Sequence, residues 1–190
     1  GDKSRVRDFT PSIDNSWKKQ TGGADRHIAF LQQKILPYMQ QYFRTDPKQR
    51  TFVGNSLGGL LGGYILAKKP AMFRNYVLGS PSFWWDKQMI FEILKQQQTR
   101  SSHGINANVF IGIGALEHNR DGGFSNFDMV GDAQQFKAML DSINSQQNTA
   151  SAMNSKLLVI DEASHETAFP TSAIQGLYWI FNHNNGVSKP

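Results

Sequence analysis

No cysteine occurs among the 190 residues. Disulfides, a thiolate nucleophile and cysteine-based metal sites are therefore excluded, and the redox compartment is left open. No run of ~18 apolar residues occurs, so no segment is predicted to cross a membrane as a helix. No charged-then-apolar leader opens the chain, which leaves bacterial periplasm and cytoplasm both open as locations. The 20 Lys and Arg residues are scattered, and no basic run alternates with aromatics, which argues against a nucleic-acid surface. No Gly-Lys-Ser/Thr follows the glycine-rich stretch, which excludes the usual phosphate loop. What is present is a chain with 39% hydrophobic residues, including 13 Phe, 5 Tyr and 4 Trp. That composition predicts a folded globule, read as one domain over residues 1–190. The net charge of +5 keeps such a surface soluble or draws anionic substrates.

The hydrophobic pattern switches repeatedly between helical and strand periods. Residues 1–22 are polar and read as a loop. Ile28, Leu31, Ile35, Met39 and Tyr42 step by three and four, predicting a helix that Pro37 kinks or restarts. Thr51-Phe52-Val53 predicts a short strand that runs straight into Gly54-Asn55-Ser56-Leu57-Gly58-Gly59. A helix follows to Lys68. Asn75–Leu78 reads as a second strand, residues 87–98 as a helix, Val109–Ile113 as a third strand buried on both faces. Ala133, Phe136, Leu140 and Ile143 mark another helix, Leu157–Ile160 a fourth strand, and a last helix follows Pro170 with Ile174, Leu177, Tyr178 and Phe181 on one face. Strands alternating with helices predict an α/β fold, a parallel sheet with helices on both faces.

Gly54-x-Ser56-x-Gly58 sits where a strand ends and a helix begins. A serine on so sharp a turn needs small neighbours two residues before and two after it. The turn lifts the hydroxyl off the sheet and aims the Leu57 N–H, at a helix N-terminus, towards a developing oxyanion. Ser56 is the predicted nucleophile and Leu57 the predicted oxyanion donor. A serine hydroxyl also needs a base. His165, in the loop after the fourth strand, stands where such a base belongs. Glu117, just past the third strand, is the first choice of acid, ahead of Asp121 and Asp128. Glu162 or Glu166 could orient the imidazole locally instead, and a dyad without an acid also stays open.

These residues resemble a known family. Gly54-Asn55-Ser56-Leu57-Gly58-Gly59, Ser80-Pro81-Ser82-Phe83-Trp84-Trp85-Asp86, Glu162-x-x-His165, Arg7-Asp8-Phe9-Thr10-Pro11 and Gly22-Gly23-Ala24 together look like the esterase D–like family of α/β-hydrolases. The enterobactin and salmochelin siderophore esterase–like branch is the closest in appearance. The resemblance implies an α/β-hydrolase fold and ester hydrolysis through an acyl-enzyme, with no metal or other cofactor. It also implies an N-terminal segment holding the first strands and a second oxyanion N–H, which these residues do not supply. The expectation is a C-terminal catalytic portion whose elbow strand has an open edge capable of self-association.

Trp84 and Trp85 follow the second strand, and their faces could bind an aromatic or acyl group, or simply pack. Arg7 could meet an anionic group or lie on the surface. The predicted partner is a small-molecule ester. A serine carboxylic ester hydrolase is the leading reading. An acyltransferase on the same residues, or a binding protein retaining the fold, are the alternatives.

Overall fold

The computed structural model describes residues 2–100, 104–120, 123, 125–146 and 153–184. Its centre is a four-stranded sheet in the order β1-β2-β3-β4. The strands are β1 (Thr51–Asn55), β2 (Asn75–Gly79), β3 (Asn108–Gly114) and β4 (Asn154–Ile160). All three pairings are parallel. Each strand is joined to the next through a helix: α4 (Leu57–Lys68), α5 (Trp85–Arg100) and α6 (Met129–Gln146). The last helix, α7 (Ala168–Asn184), follows β4.

Alternation along the strands divides the core. Tyr76 and Leu78 of β2, with Val109, Ile111 and Ile113 of β3, face the large cluster built with α4, α5 and α6. Val77 and Phe110 face the other way and meet Ile180 of α7. Every residue of β3 is buried, as its uninterrupted apolar run predicts. α7 approaches through small residues: Gly176 lies against Val77 and Phe110, and Ser172 against Gly112. Its apolar stripe of Ile174, Tyr178 and Phe181 consequently faces outward.

Two local expectations change. Residues 1–22 are not all loop, because Asp2–Phe9 forms α1. This polar helix is held by tertiary contact: Val6 and Phe9 pack into the main core, and Thr10 Oγ1 donates to Val6 O at 2.8 Å. Two apolar positions in eight residues are too few for a periodic signal, and packing supplies what propensity does not. The helix after Gly23 is α2 (Ala24–Phe30), a π turn (Leu31–Ile35) and α3 (Leu36–Tyr42). Pro37 opens α3, and the widened turn before it absorbs the missing N–H in place of a break.

β1 pairs only with β2 among the described strands. Its other edge carries the 41%-exposed Val53, and Arg5 Nη2 reaches across to Asn55 O at 3.0 Å. Among the described residues no helix is long and apolar enough to cross a membrane. No cluster of three potential metal ligands occurs among them either.

Candidate active site

Parallel strands deliver their C-terminal ends to one edge of the sheet, and the loops there are where α/β proteins build sites. Ser56 follows β1, Ser80 and Ser82 follow β2, Glu117 follows β3 and His165 follows β4.

Ser56 has φ 59° and ψ −119°, well outside the regions an L-residue prefers. It is fixed there by neighbours on β2 and the loop beyond. Its N–H donates to Gly79 O at 2.9 Å, and its carbonyl accepts from Ser82 N at 3.1 Å and from Leu60 N at 3.0 Å. Gly54 makes the turn possible. A Cβ there would run into the backbone carbonyl of Gly58. Leu57, the first residue of α4, carries one of the amides a helix cannot pair internally. The hydrogen bond made by Ser56 Oγ is to Ser82 Oγ, at 3.3 Å. No direct hydrogen bond joins Ser56 and His165 among those the described residues form.

Glu117 is 1% exposed, so its carboxylate must be satisfied by protein donors. Oε1 accepts from Gly114 N at 2.8 Å and from Ser80 Oγ at 2.6 Å. Oε2 lies 2.7 Å from His165 Nδ1. The two loops that carry Glu117 and His165 are stitched together by Leu116 N donating to Ala163 O at 3.1 Å. The Glu117 hydrogen bond is the main reason the His165 imidazole is held above its ordinary pKa. Burial opposes it, the charges of Glu117 and Glu166 add to it, and that of Arg5 subtracts. With Nδ1 committed to Glu117, Nε2 is the nitrogen left to exchange protons.

The remaining candidates fall into place differently. Asp121 lies outside the described residues. Asp128 accepts from Gly131 N at 3.0 Å in the first turn of α6. Glu162 is exposed, with φ 55°, and Glu166 accepts from Ser164 Oγ at 2.7 Å. Trp85 is a correction. It is 0% exposed, and its Nε1 donates to Ser12 Oγ at 3.0 Å, so it is core and offers no face to a ligand. Arg7 is forked onto its neighbour Asp8 at 2.7 and 2.8 Å, which answers its charge locally. Trp84 is partly exposed and stacks on Phe127, centroids 4.2 Å apart and planes 2° from parallel. The pair lines a cavity of about 630 Å³ with Ile13, Trp17, Asp86 and Lys87.

Four contributors escaped the sequence. Arg5, whose guanidinium holds Asn55 O beside the elbow, sits on a helix that polar composition concealed. Ser80 and Ser82 entered only as part of the Ser80–Asp86 segment that carries the family resemblance, with no role of their own, although both hydroxyls touch the site. Phe127 carries no motif; a lone aromatic in a loop gives no pattern to read.

The chain is similar to several known proteins in sequence and in fold. "Ferri-bacillibactin esterase BesA" of Bacillus subtilis is 33% identical over 99 residues, 47% of this chain and 34% of the relative. "Siderophore triacetylfusarinine C esterase" of Aspergillus fumigatus is 29% identical over 99 residues, 50% of this chain and 34% of that protein. Among solved structures, the BES protein from Bacillus cereus superposes with a TM-score of 0.75 at 29% identity, over 95% of this chain and 64% of that one. The siderophore hydrolase EstB from Aspergillus nidulans, at 21% identity and a TM-score of 0.72, shares the fold over all of this chain and 68% of its own. The chain thus spans less than two thirds of the length of the curated relatives and of the Bacillus cereus structure. The sheet order, the serine at the end of β1 and these likenesses agree on an α/β-hydrolase fold. The family description "Putative esterase" matches residues 3–159, more than half of the sequence, and the chain belongs to that family.

Proposed function

We propose that this chain carries the catalytic centre of a serine carboxylic ester hydrolase, with Ser56 as nucleophile, His165 as general base and Glu117 as the acid that orients it. The observation that carries the reading is the buried Glu117 carboxylate 2.7 Å from His165 Nδ1, on the same sheet edge as a serine held at φ 59°. No packing need explains a strained serine and a carboxylate–imidazole pair converging there.

The chemistry follows from the proton inventory. His165 Nε2 takes the Ser56 hydroxyl proton as Oγ attacks the ester carbonyl carbon. For that step the Ser56 hydroxyl proton turns from Ser82 towards the imidazole. The imidazolium that forms is stabilised by the ionised Glu117, which keeps its own charge. The Leu57 N–H faces the negative charge that develops on the carbonyl oxygen. The tetrahedral intermediate expels the alcohol, which takes the proton from Nε2, and leaves an acyl-Ser56. Water then repeats the sequence: Nε2 takes its proton, the hydroxyl attacks, and Ser56 leaves with the proton returned. The substrate class is a small-molecule ester. The names of the relatives favour siderophore esters, and the stacked Trp84 and Phe127 give such a ligand an aromatic wall.

A fluorophosphonate probe followed by peptide mapping tests the assignment. The expected adduct is on Ser56, and Ser56→Ala lowers hydrolysis of p-nitrophenyl acetate by about 10⁴-fold or more. An adduct on Ser82 or Ser164 with Ser56 unmodified sinks it.

A further inference from the structure

β2 ends at Gly79 and the chain turns at Ser80, whose φ is 39°. A non-glycine residue in this region is held there at a steric cost. Several contacts hold it. Ser80 N donates to Gly112 O at 2.7 Å, and Pro81 presses on α4 so closely that a Cβ on Gly59 would stand 2.9 Å from Pro81 Cα. The side chains of this turn then diverge. Ser80 Oγ donates to Glu117 Oε1 at 2.6 Å. Two residues on, Ser82 N donates to Ser56 O at 3.1 Å, and Ser82 Oγ lies 3.3 Å from Ser56 Oγ. Ser80 and Ser82 are 0% and 1% exposed. If the turn served packing alone, alanine would fill both places without a hydroxyl to satisfy.

We infer that the Ser80-Pro81-Ser82 turn is a positioning element that sets both the acid and the nucleophile: Ser80 fixes the Glu117 carboxylate, and Ser82 fixes the Ser56 hydroxyl. The inference rests on the assignment of Ser56, His165 and Glu117 proposed above. Ser80 and Gly114 N–H together occupy Oε1, so the carboxylate cannot pivot and Oε2 stays on His165. Ser56 has a single proton. When Ser82 donates to Ser56 Oγ, that proton is free to point at His165. When Ser56 donates to Ser82 instead, the nucleophile is parked. The turn therefore holds Ser56 to two defined hydroxyl arrangements in place of free rotation.

The test compares Ser80→Gly, Ser80→Ala and Ser82→Ala on a p-nitrophenyl ester, with folding checked by circular dichroism. Glycine is the informative choice at 80, since it removes the hydroxyl while relieving the backbone. Each variant is expected to lose about tenfold in kcat with KM within about twofold, the size of one hydrogen bond to a reacting group. Ser80→Gly should also move the acid limb of kcat/KM upward, because a carboxylate that loses a donor holds the imidazolium more tightly. Ser82→Ala should leave that limb in place. In a Glu117→Ala background, Ser80→Gly should cost nothing further. Unchanged kcat and pH profile in Ser80→Gly and Ser82→Ala, or an equal Ser80→Gly loss without Glu117, overturns the inference. An active Ser56→Ala overturns the functional reading instead, so the two failures are distinguishable.

Discussion

Glu117 Oε2 meets His165 Nδ1 at 2.7 Å across 48 residues of sequence. The contact raises the pKa of the imidazole, with the Glu117 hydrogen bond as its largest cause. A base must be neutral to accept a proton, so the acid limb of kcat/KM should lie above the ordinary histidine range. Glu117→Gln removes the charge and leaves an amide, so the limb should move down while the rate at pH 8 falls. A raised folded pKa stabilises the protein fully below the unfolded pKa and is lost as pH rises through the folded value. Glu117→Gln should therefore cost more stability at pH 5 than at pH 8. A kcat/KM profile from pH 5 to 9 with an unmoved limb contradicts the assignment.

Much of this architecture is legible in the sequence because its signals are local. β3 announces itself by an apolar run, and the elbow by glycines at fixed offsets around Ser56. Glu117 and His165 are readable from their places after strands. The parts that escape depend on distance and direction. α1 is stable only through what Val6 and Phe9 touch. The stripe of Ile174, Tyr178 and Phe181 looks like a buried face, yet α7 needs close approach and presents Gly176 and Ser172 to the sheet. Trp84 and Trp85 are adjacent and alike in sequence, and only the turn between them decides which is core.

The two glycines that flank Ser56 are not equivalent. A Cβ at Gly54 would collide with the Gly58 carbonyl and lie 2.8 Å from Phe52 Cε1, whereas one at Gly58 would find nothing nearer than Phe9 Cε2 at 3.9 Å. Gly54→Ala must push the start of α4 off β1, displacing Ser56 and the Leu57 amide. It should abolish fluorophosphonate labelling and destabilise the fold by roughly 1–3 kcal/mol. Gly58→Ala should retain labelling and gain up to about 1 kcal/mol from helix propensity. Equal behaviour of the two variants in labelling and in urea unfolding would count against this reading of the elbow.

At the opposite edge of the sheet a ladder of amides pins the register. Asn75, Asn108 and Asn154 are register partners at the starts of β2, β3 and β4. Asn154 Nδ2 donates to Asn108 Oδ1 at 3.0 Å, Asn108 Nδ2 to Asn75 Oδ1 at 2.9 Å, and Asn75 Nδ2 to Thr51 Oγ1 at 3.3 Å. Asn108 is central and buried, so Asn108→Ala leaves the buried Asn75 carbonyl without this donor. The expected loss is about 2–3 kcal/mol in urea denaturation. Asn154→Ala, at the partly exposed end, should cost less. A loss under about 0.5 kcal/mol for Asn108→Ala would show that water replaces the rung.

Asp132 makes the fold itself pH-dependent. It is buried in α6 and accepts from Gln88 Nε2 at 2.6 Å. Gln88 closes a run of three residues with positive φ, Asp86 at 45°, Lys87 at 55° and Gln88 at 63°, so the bond helps fasten a strained turn. Burial pushes the Asp132 carboxyl up to about 6, with the charge of Asp128 adding to the rise and the Gln88 hydrogen bond opposing it. In the unfolded chain the same group titrates near 4. Between about pH 4 and pH 6 the folded state keeps a proton that the unfolded state releases. Stability therefore falls as pH rises through that window, and above it the full cost of a buried charge remains. Asp132→Asn removes the charge and keeps an oxygen for Gln88. The variant should match the parent at pH 4 and exceed it at pH 8 by about 2 kcal/mol, read from urea midpoints at the two pH values. A variant that is no more stable than the parent at pH 8, or whose gain is the same at pH 4, would show that the carboxylate is solvated well enough to ionise freely in its place beside Gln88.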